Sequence, residues 1–108
     1  MADEAGIDPA LFVRQIDVES GFNPNAGSLA GAQGIAQIVP RWHPGVNTWD
    51  PWESLHYAAN LMRSHLDTYG SDYTLALVHY NGGGGAVAAW RRGEAYDESQ
   101  RYVRLILG

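Results

Sequence analysis

Of the twelve carboxylates in the chain, one has a spacing that suits acid–base work. Phe12, Ile16 and Glu19 stand at i, i+4 and i+7, on one face of a helix. That puts Glu19 on the core-facing side, in the last turn. There the helix dipole disfavours a negative charge, and apolar neighbours remove its solvation. Both effects raise a carboxyl pKa, which is what a general acid needs near neutral pH. The competing reading is a glutamate that reaches out to water from a frayed helix end. The other carboxylates have plainer explanations. Asp8, Asp50, Asp72 and Asp97 fall where helices start and read as caps. Glu53 suits a capping box with Asp50. Asp3, Glu4 and Glu94 lie in polar stretches, Asp67 reads as exposed, and Asp17 points away from the Ile16 face.

The remaining chemistry-bearing types give less. His43, His56, His65 and His79 have no metal-ligand spacing among themselves, so no metal or other cofactor is expected. His79, directly before Tyr80-Asn81, is either a cleft residue or a packed histidine. The run Gly82–Gly85 lacks the Lys-Ser/Thr of a phosphate-binding loop. The chain has no cysteine and no Gly-x-Ser-x-Gly elbow. Trp42, Trp49 and Trp52 crowd one irregular segment. Their faces suit stacking on sugar rings, against the alternative that they fill the core or staple the next helix.

These residues need elements to hold them. Asp8-Pro9 opens a helix that Gly21 ends. A Gly- and Asn-rich loop follows, to Ala32, with Phe22 as its anchor. Ala32 to Ile38 reads as a short helix stopped by Pro40. Asp50-Pro51 opens a second strong helix. Its stripe is Leu55, Ala58, Ala59, Met62, Leu66 and Tyr69, and Gly70 ends it. Ser71 or Asp72 caps a helix from Tyr73 to Tyr80, and the glycine run forces a tight turn. Further helices are expected over Ala86–Arg92 and Asp97–Leu107. No period-2 strand and no internal repeat stand out. The expected class is all-α, with five or six short helices around one core.

Composition agrees. With 108 residues the chain is long enough for one domain, taken here as residues 1–108. Apolar residues make up 45%, the level of an ordinary globule. A net charge of −5 argues against nucleic acid as a partner. No apolar run approaches the ~20 residues of a membrane span. The acidic start Met1-Ala2-Asp3-Glu4 does not read as a signal peptide.

Four blocks, in order, carry a family resemblance. They are Glu19-Ser20-Gly21-Phe22-Asn23-Pro24-Asn25-Ala26, then Ser28-x-x-Gly31-Ala32-Gln33-Gly34-Ile35-Ala36-Gln37-Ile38-Val39-Pro40. Ala76-Leu77-Val78-His79-Tyr80-Asn81-Gly82-Gly83-Gly84-Gly85-Ala86-Val87-x-x-Trp90 and Glu98-Ser99-x-x-Tyr102-Val103 follow. Together they resemble the soluble (SLT, goose-lysozyme-like) lytic transglycosylases. The resemblance implies a lysozyme-like all-α domain that cleaves the β-1,4 bond between N-acetylmuramic acid and N-acetylglucosamine in peptidoglycan. It implies Glu19 as catalytic acid and then base, and Ser20 as a residue that orients substrate. Gln37 lines the cleft, and Tyr80 and Asn81 contact sugar beside His79. Tyr102 approaches the catalytic glutamate. It further implies a monomer acting on the cell wall, from the periplasm, from outside or delivered by a phage.

The sequence departs from the family pattern in places. Ala36 precedes Gln37 where a bulkier Met is usual. His79 and Gly82 stand where Ala is common, and Gly84 where Pro is common. Ser99 replaces Thr and keeps the hydroxyl. Two other functions fit the same residues. A hydrolytic muramidase needs a second carboxylate, for which Asp17, Glu53 and Glu98 are the available groups. A non-catalytic glycan-binding module, such as a piece of a phage tail, needs no desolvated acid.

Overall fold

A computed structural model describes all residues, Met1–Gly108. It contains five helices: α1 (Ala2–Ala5), α2 (Pro9–Ser20), α3 (Pro51–Thr68), α4 (Tyr73–Arg91) and α5 (Asp97–Leu107). Its only β pairing is two isolated antiparallel bridges, Gly27 with Gln33 and Gln33 with Ile38. The all-α expectation holds. The chain groups into two compact units, Met1–Asn60 and Leu61–Gly108.

In the first unit, α2 starts as expected. Asp8 Oδ1 accepts from the backbone N–H of Ala10 (2.9 Å) and Leu11 (3.2 Å), with Pro9 in the first turn. Phe12, Gln15 and Ile16 are buried. Removing Phe12 and Ile16 from water contributes about 1.5–3 kcal/mol each. The helix ends at Gly21, whose φ is 61° and whose N–H bonds the Asp17 carbonyl. Phe22 does not anchor the loop that follows. It takes a left-handed φ of 63° and is 48% exposed.

Residues 32–38 are not helical. They form a tight turn closed by reciprocal backbone hydrogen bonds between Gln33 and Ile38. Their apolar run is buried, since Ile35, Ala36 and Ile38 are all inside, yet the run carries no helical period. Positive φ at Gly34 (80°) and Gln37 (52°) closes the turn instead.

Asp50 caps α3 by accepting from the N–H of Trp52 and Glu53. The expected capping box does not form. Glu53 Oε2 accepts from the Asn47 N–H at 2.7 Å, while the Asp50 N–H goes to the Asn47 carbonyl. The core reading of the tryptophans fails as well. Trp42 is 68% exposed, and Trp49 and Trp52 also face water. Arg41 covers one face of Trp42, and Trp52 sets its edge against His56.

In the second unit, Asp72 caps α4 through the Leu75 N–H. The glycine run acts as expected. Gly83 (φ 77°, ψ −173°) leaves helical geometry and splits α4 into two helical pieces. Only glycine enters that region without strain. Val78, Ala86 and Val87 pack there with Tyr69, Leu75, Trp90 and Val103. Helix α5 packs on α4 through a buried stripe of Ser99, Tyr102 and Ile106. Asp97 does not cap it. The N-cap position belongs to Tyr96, and Asp97 lies inside the first turn, where the dipole still favours its charge.

Candidate active site

Glu19 is the penultimate residue of α2 and is half-buried. It stands on the face of α2 that also carries the buried Phe12, Gln15 and Ile16. Ser20 follows it. The Ser20 hydroxyl donates to the Ile35 carbonyl at 2.6 Å and reaches back toward the Ile16 carbonyl at 3.5 Å. This hydroxyl therefore fastens the end of α2 to the 34–37 turn.

The turn is held from three sides. Ser20 holds Ile35. The Gly34 N–H donates to the Ala26 carbonyl at 2.8 Å. Gly34 also lies hard against Thr48, and a Cβ there would run into the Thr48 carbonyl oxygen. Thr48 itself is 4% exposed. Its hydroxyl donates to Gln33 Oε1 at 2.7 Å, and its carbonyl accepts from Ser54 Oγ at 3.0 Å. Gln37 sits at the end of the turn. Its Nε2 donates to the carbonyls of Gly34 (2.8 Å) and Ala26 (3.2 Å), so its amide NH₂ braces the loop.

Gln33, Thr48 and Ser54 thus support the turn, and the sequence reading assigned none of them. Thr48 falls in the Arg41–Trp49 segment, which matches no block of the resemblance. A buried threonine eight residues past a proline leaves no mark in spacing or composition.

Asp17 is exposed, two residues before Glu19 and off its face of α2. Glu53 is bound to the Asn47 backbone. His43 Nδ1 and the Tyr57 hydroxyl share a hydrogen bond of 2.7 Å, with the rings edge to face. Burial holds the His43 pKa below the usual 6.5, because desolvation disfavours the imidazolium.

In the second unit, His79 is half-buried. Its Nδ1 lies 2.6 Å from the Tyr69 hydroxyl, and its ring stacks on His65 at 4.0 Å between centroids. Arg91 covers the Tyr69 ring. Tyr80 is half-buried. Asn81 Nδ2 donates to Glu98 Oε1 at 3.4 Å, a weak tie between α4 and α5. Tyr102 is buried on α5, one turn beyond Ser99.

Comparison with known proteins follows the same lines. The family model described as "Transglycosylase SLT domain" matches residues 1–103. The "Transglycosylase" of Enterobacteria phage PRD1 is 36% identical over 80 residues, which is 71% of this chain and 30% of that protein. "Membrane-bound lytic murein transglycosylase C" of Actinobacillus pleuropneumoniae serotype 5b is 51% identical over 41 residues, covering 38% of this chain and 11% of that one. A solved structure of an inactive mutant of the lytic transglycosylase Slt from Pseudomonas aeruginosa superposes with a TM-score of 0.81. It covers 98% of this chain and 21% of the other, at 20% identity. The fold is therefore the same, and this chain spans less than a third of the length of these relatives.

Proposed function

Since the chain belongs to the transglycosylase SLT family, we propose that it is a peptidoglycan lytic transglycosylase with Glu19 as its acid and base. The observation that carries the reading is the place of Glu19. It is half-buried on the inward face of α2, and its helix end is fastened to a rigid turn. The murein in the name of the Actinobacillus relative supports the substrate class, glycan strands of the cell wall.

The reaction needs one carboxyl group. Protonated Glu19 gives its proton to the bridging oxygen as the bond from the muramic C1 to that oxygen breaks. The N-acetyl carbonyl oxygen of the same sugar stabilises C1. Glu19, now a carboxylate, takes the proton of the 6-hydroxyl, and the bond from that oxygen to C1 closes a 1,6-anhydro ring. Protons and bonds balance, and no water enters. Residues of the second unit, His79, Tyr80, Asn81 and Tyr102, are proposed to bind sugar. Gln37 and Ser20 are proposed to act from the first. For Ser20 the bond to Ile35 supports an indirect role: it fixes the turn beside which substrate lies.

A hydrolase of this fold would need a second carboxylate to direct water. Asp17 lies off the Glu19 face, Glu53 is held by backbone and Glu98 accepts from Asn81, so none of the three supports that reading. We further propose one catalytic domain over residues 1–108, supported by a family match that runs through both units. It would act as a monomer in the compartment that holds the wall. No helix is long and apolar enough to cross a membrane.

The test is mass spectrometry of purified sacculi after digestion. Wild type should release muropeptides with anhydro ends, lighter by one water than hydrolysis products. Glu19→Gln should lose about 10²–10⁴-fold in rate, the usual worth of general acid–base catalysis. Products carrying the extra water, or a Glu19→Gln variant that retains full activity, would refute the proposal.

A further inference from the structure

Gln15 is the outlier of the first unit. It is 1% exposed, among the most completely buried side chains of the molecule, and its Nε2 finds no hydrogen-bond acceptor in the protein. Such a group is costly to keep unless its cavity holds an acceptor for it. An apolar side chain of the same length would fill the volume without that cost.

Its position gives a reason for keeping it. Gln15 and Glu19 are i and i+4 on α2, so their Cβ atoms are ~5–6 Å apart on one face. Helical side chains lean toward the N-terminus of their helix. The Glu19 side chain therefore leans over the turn that carries Gln15. Neighbouring Ile16 and Phe12 are apolar and buried, and they offer Nε2 no side-chain acceptor.

We infer that Gln15 is a positioning residue for Glu19, its Nε2–H donating to a buried water that in turn donates to the Glu19 carboxylate. Such a water needs two or more polar partners in a dry site, and amide and carboxylate supply them. The relay fixes the Glu19 side chain in one orientation. It also places a donor against the carboxylate form, the form that must next accept the 6-hydroxyl proton. Gln15 touches no substrate. The inference rests on the proposed role of Glu19.

Gln15→Met separates this role from packing. It keeps the length of the side chain and removes the amide. A merely structural Gln15 would leave kcat alone and move only stability. The relay predicts an unfolding midpoint equal to or above wild type. It predicts a kcat that falls roughly 10–100-fold on soluble glycan strands at unchanged KM, the cost of a misplaced catalytic group. A Gln15→Met enzyme with wild-type kcat, while Glu19→Gln is inactive, overturns the inference and leaves the reading of Glu19 standing. Glu19→Gln at wild-type activity overturns that reading instead. A high-resolution crystal structure of the wild type tests the relay without any variant. Density for one water within hydrogen-bond distance of both Gln15 Nε2 and a Glu19 carboxylate oxygen supports it. A water on Nε2 that does not reach Glu19, or none, overturns it.

Discussion

Two glycines of the first unit share a backbone conformation and differ in their surroundings. Gly21 has φ 61° and nothing within 4 Å of where a Cβ would stand. Gly34 has φ 80°, and its Cβ would run into the Thr48 carbonyl. Alanine at either position incurs the left-handed penalty, about 1 kcal/mol. At position 21 nothing else is lost. At position 34 Thr48 must shift. Its hydroxyl bond to Gln33 (2.7 Å) and the bond its carbonyl accepts from Ser54 (3.0 Å) are then broken or stretched. Each is worth about 1 kcal/mol net. Gly34→Ala should therefore cost about 3 kcal/mol against about 1 for Gly21→Ala. For a domain of this size the gap of about 2 kcal/mol is roughly 8–16 °C in Tm. Urea unfolding followed by circular dichroism, both variants beside wild type, gives the numbers directly. Activity should diverge further, because Gln37 is bonded to the Gly34 carbonyl and moves with any displacement of Gly34 itself. Equal losses at the two positions would refute the account of the 34–37 turn as pinned by Thr48.

Two other expectations follow from single contacts. Ser20→Ala leaves the buried Ile35 carbonyl without the hydroxyl that it accepts from at 2.6 Å, and should cost about 1–3 kcal/mol in urea unfolding. Ser20→Thr, which keeps a hydroxyl, should recover part of that loss. His43 is held below 6.5 by burial, so the unfolded chain takes up its proton first as pH falls. Stability is then fully present above about pH 6.5 and declines as pH drops through that value toward the folded pKa. His43→Gln should lose stability less steeply than wild type between about pH 7 and pH 5, with parallel behaviour above.

Much of this architecture can be read from the residues. Asp8-Pro9 and Asp50-Pro51 mark helix starts because a carboxylate satisfies free N–H groups and proline needs none. Gly82–Gly85 marks the break in α4 because its backbone reaches φ 77° at Gly83. Glu19 is legible because helical spacing alone fixes its side of α2. What failed lay where local pattern is ambiguous. A seven-residue stretch with only four apolar side chains suits a helix or a buried turn equally, and tertiary hydrogen bonds to Ser20 and Ala26 chose the turn. Asp97 missed its cap by one residue. Phe22 is hydrophobic, and hydrophobicity alone sets no direction. Gln15 passed unnoticed because a glutamine at i+3 from Phe12 carries no periodic signal of its own.

The cost of strain is concentrated where the proposed chemistry lies. Three non-glycine residues have positive φ: Phe22, Gln37 and Ser71. Ser71 follows α3, where Gly70 already turns the chain. The other two bracket the segment that begins at the Glu19 end of α2 and finishes at the pinned turn. A left-handed residue costs about 1–2 kcal/mol, and it persists only where its surroundings over-determine it. Gln37 meets that condition visibly. Its own Nε2 bonds Gly34 and Ala26, its backbone N–H bonds the Gly34 carbonyl, and the neighbouring Ile38 pairs with Gln33. A loop needing only to connect α2 to α3 would have relaxed both residues. Retaining the strain is consistent with a turn whose shape, rather than its stability, is under constraint, and the buried amide of Gln15 beneath Glu19 is a cost of the same kind.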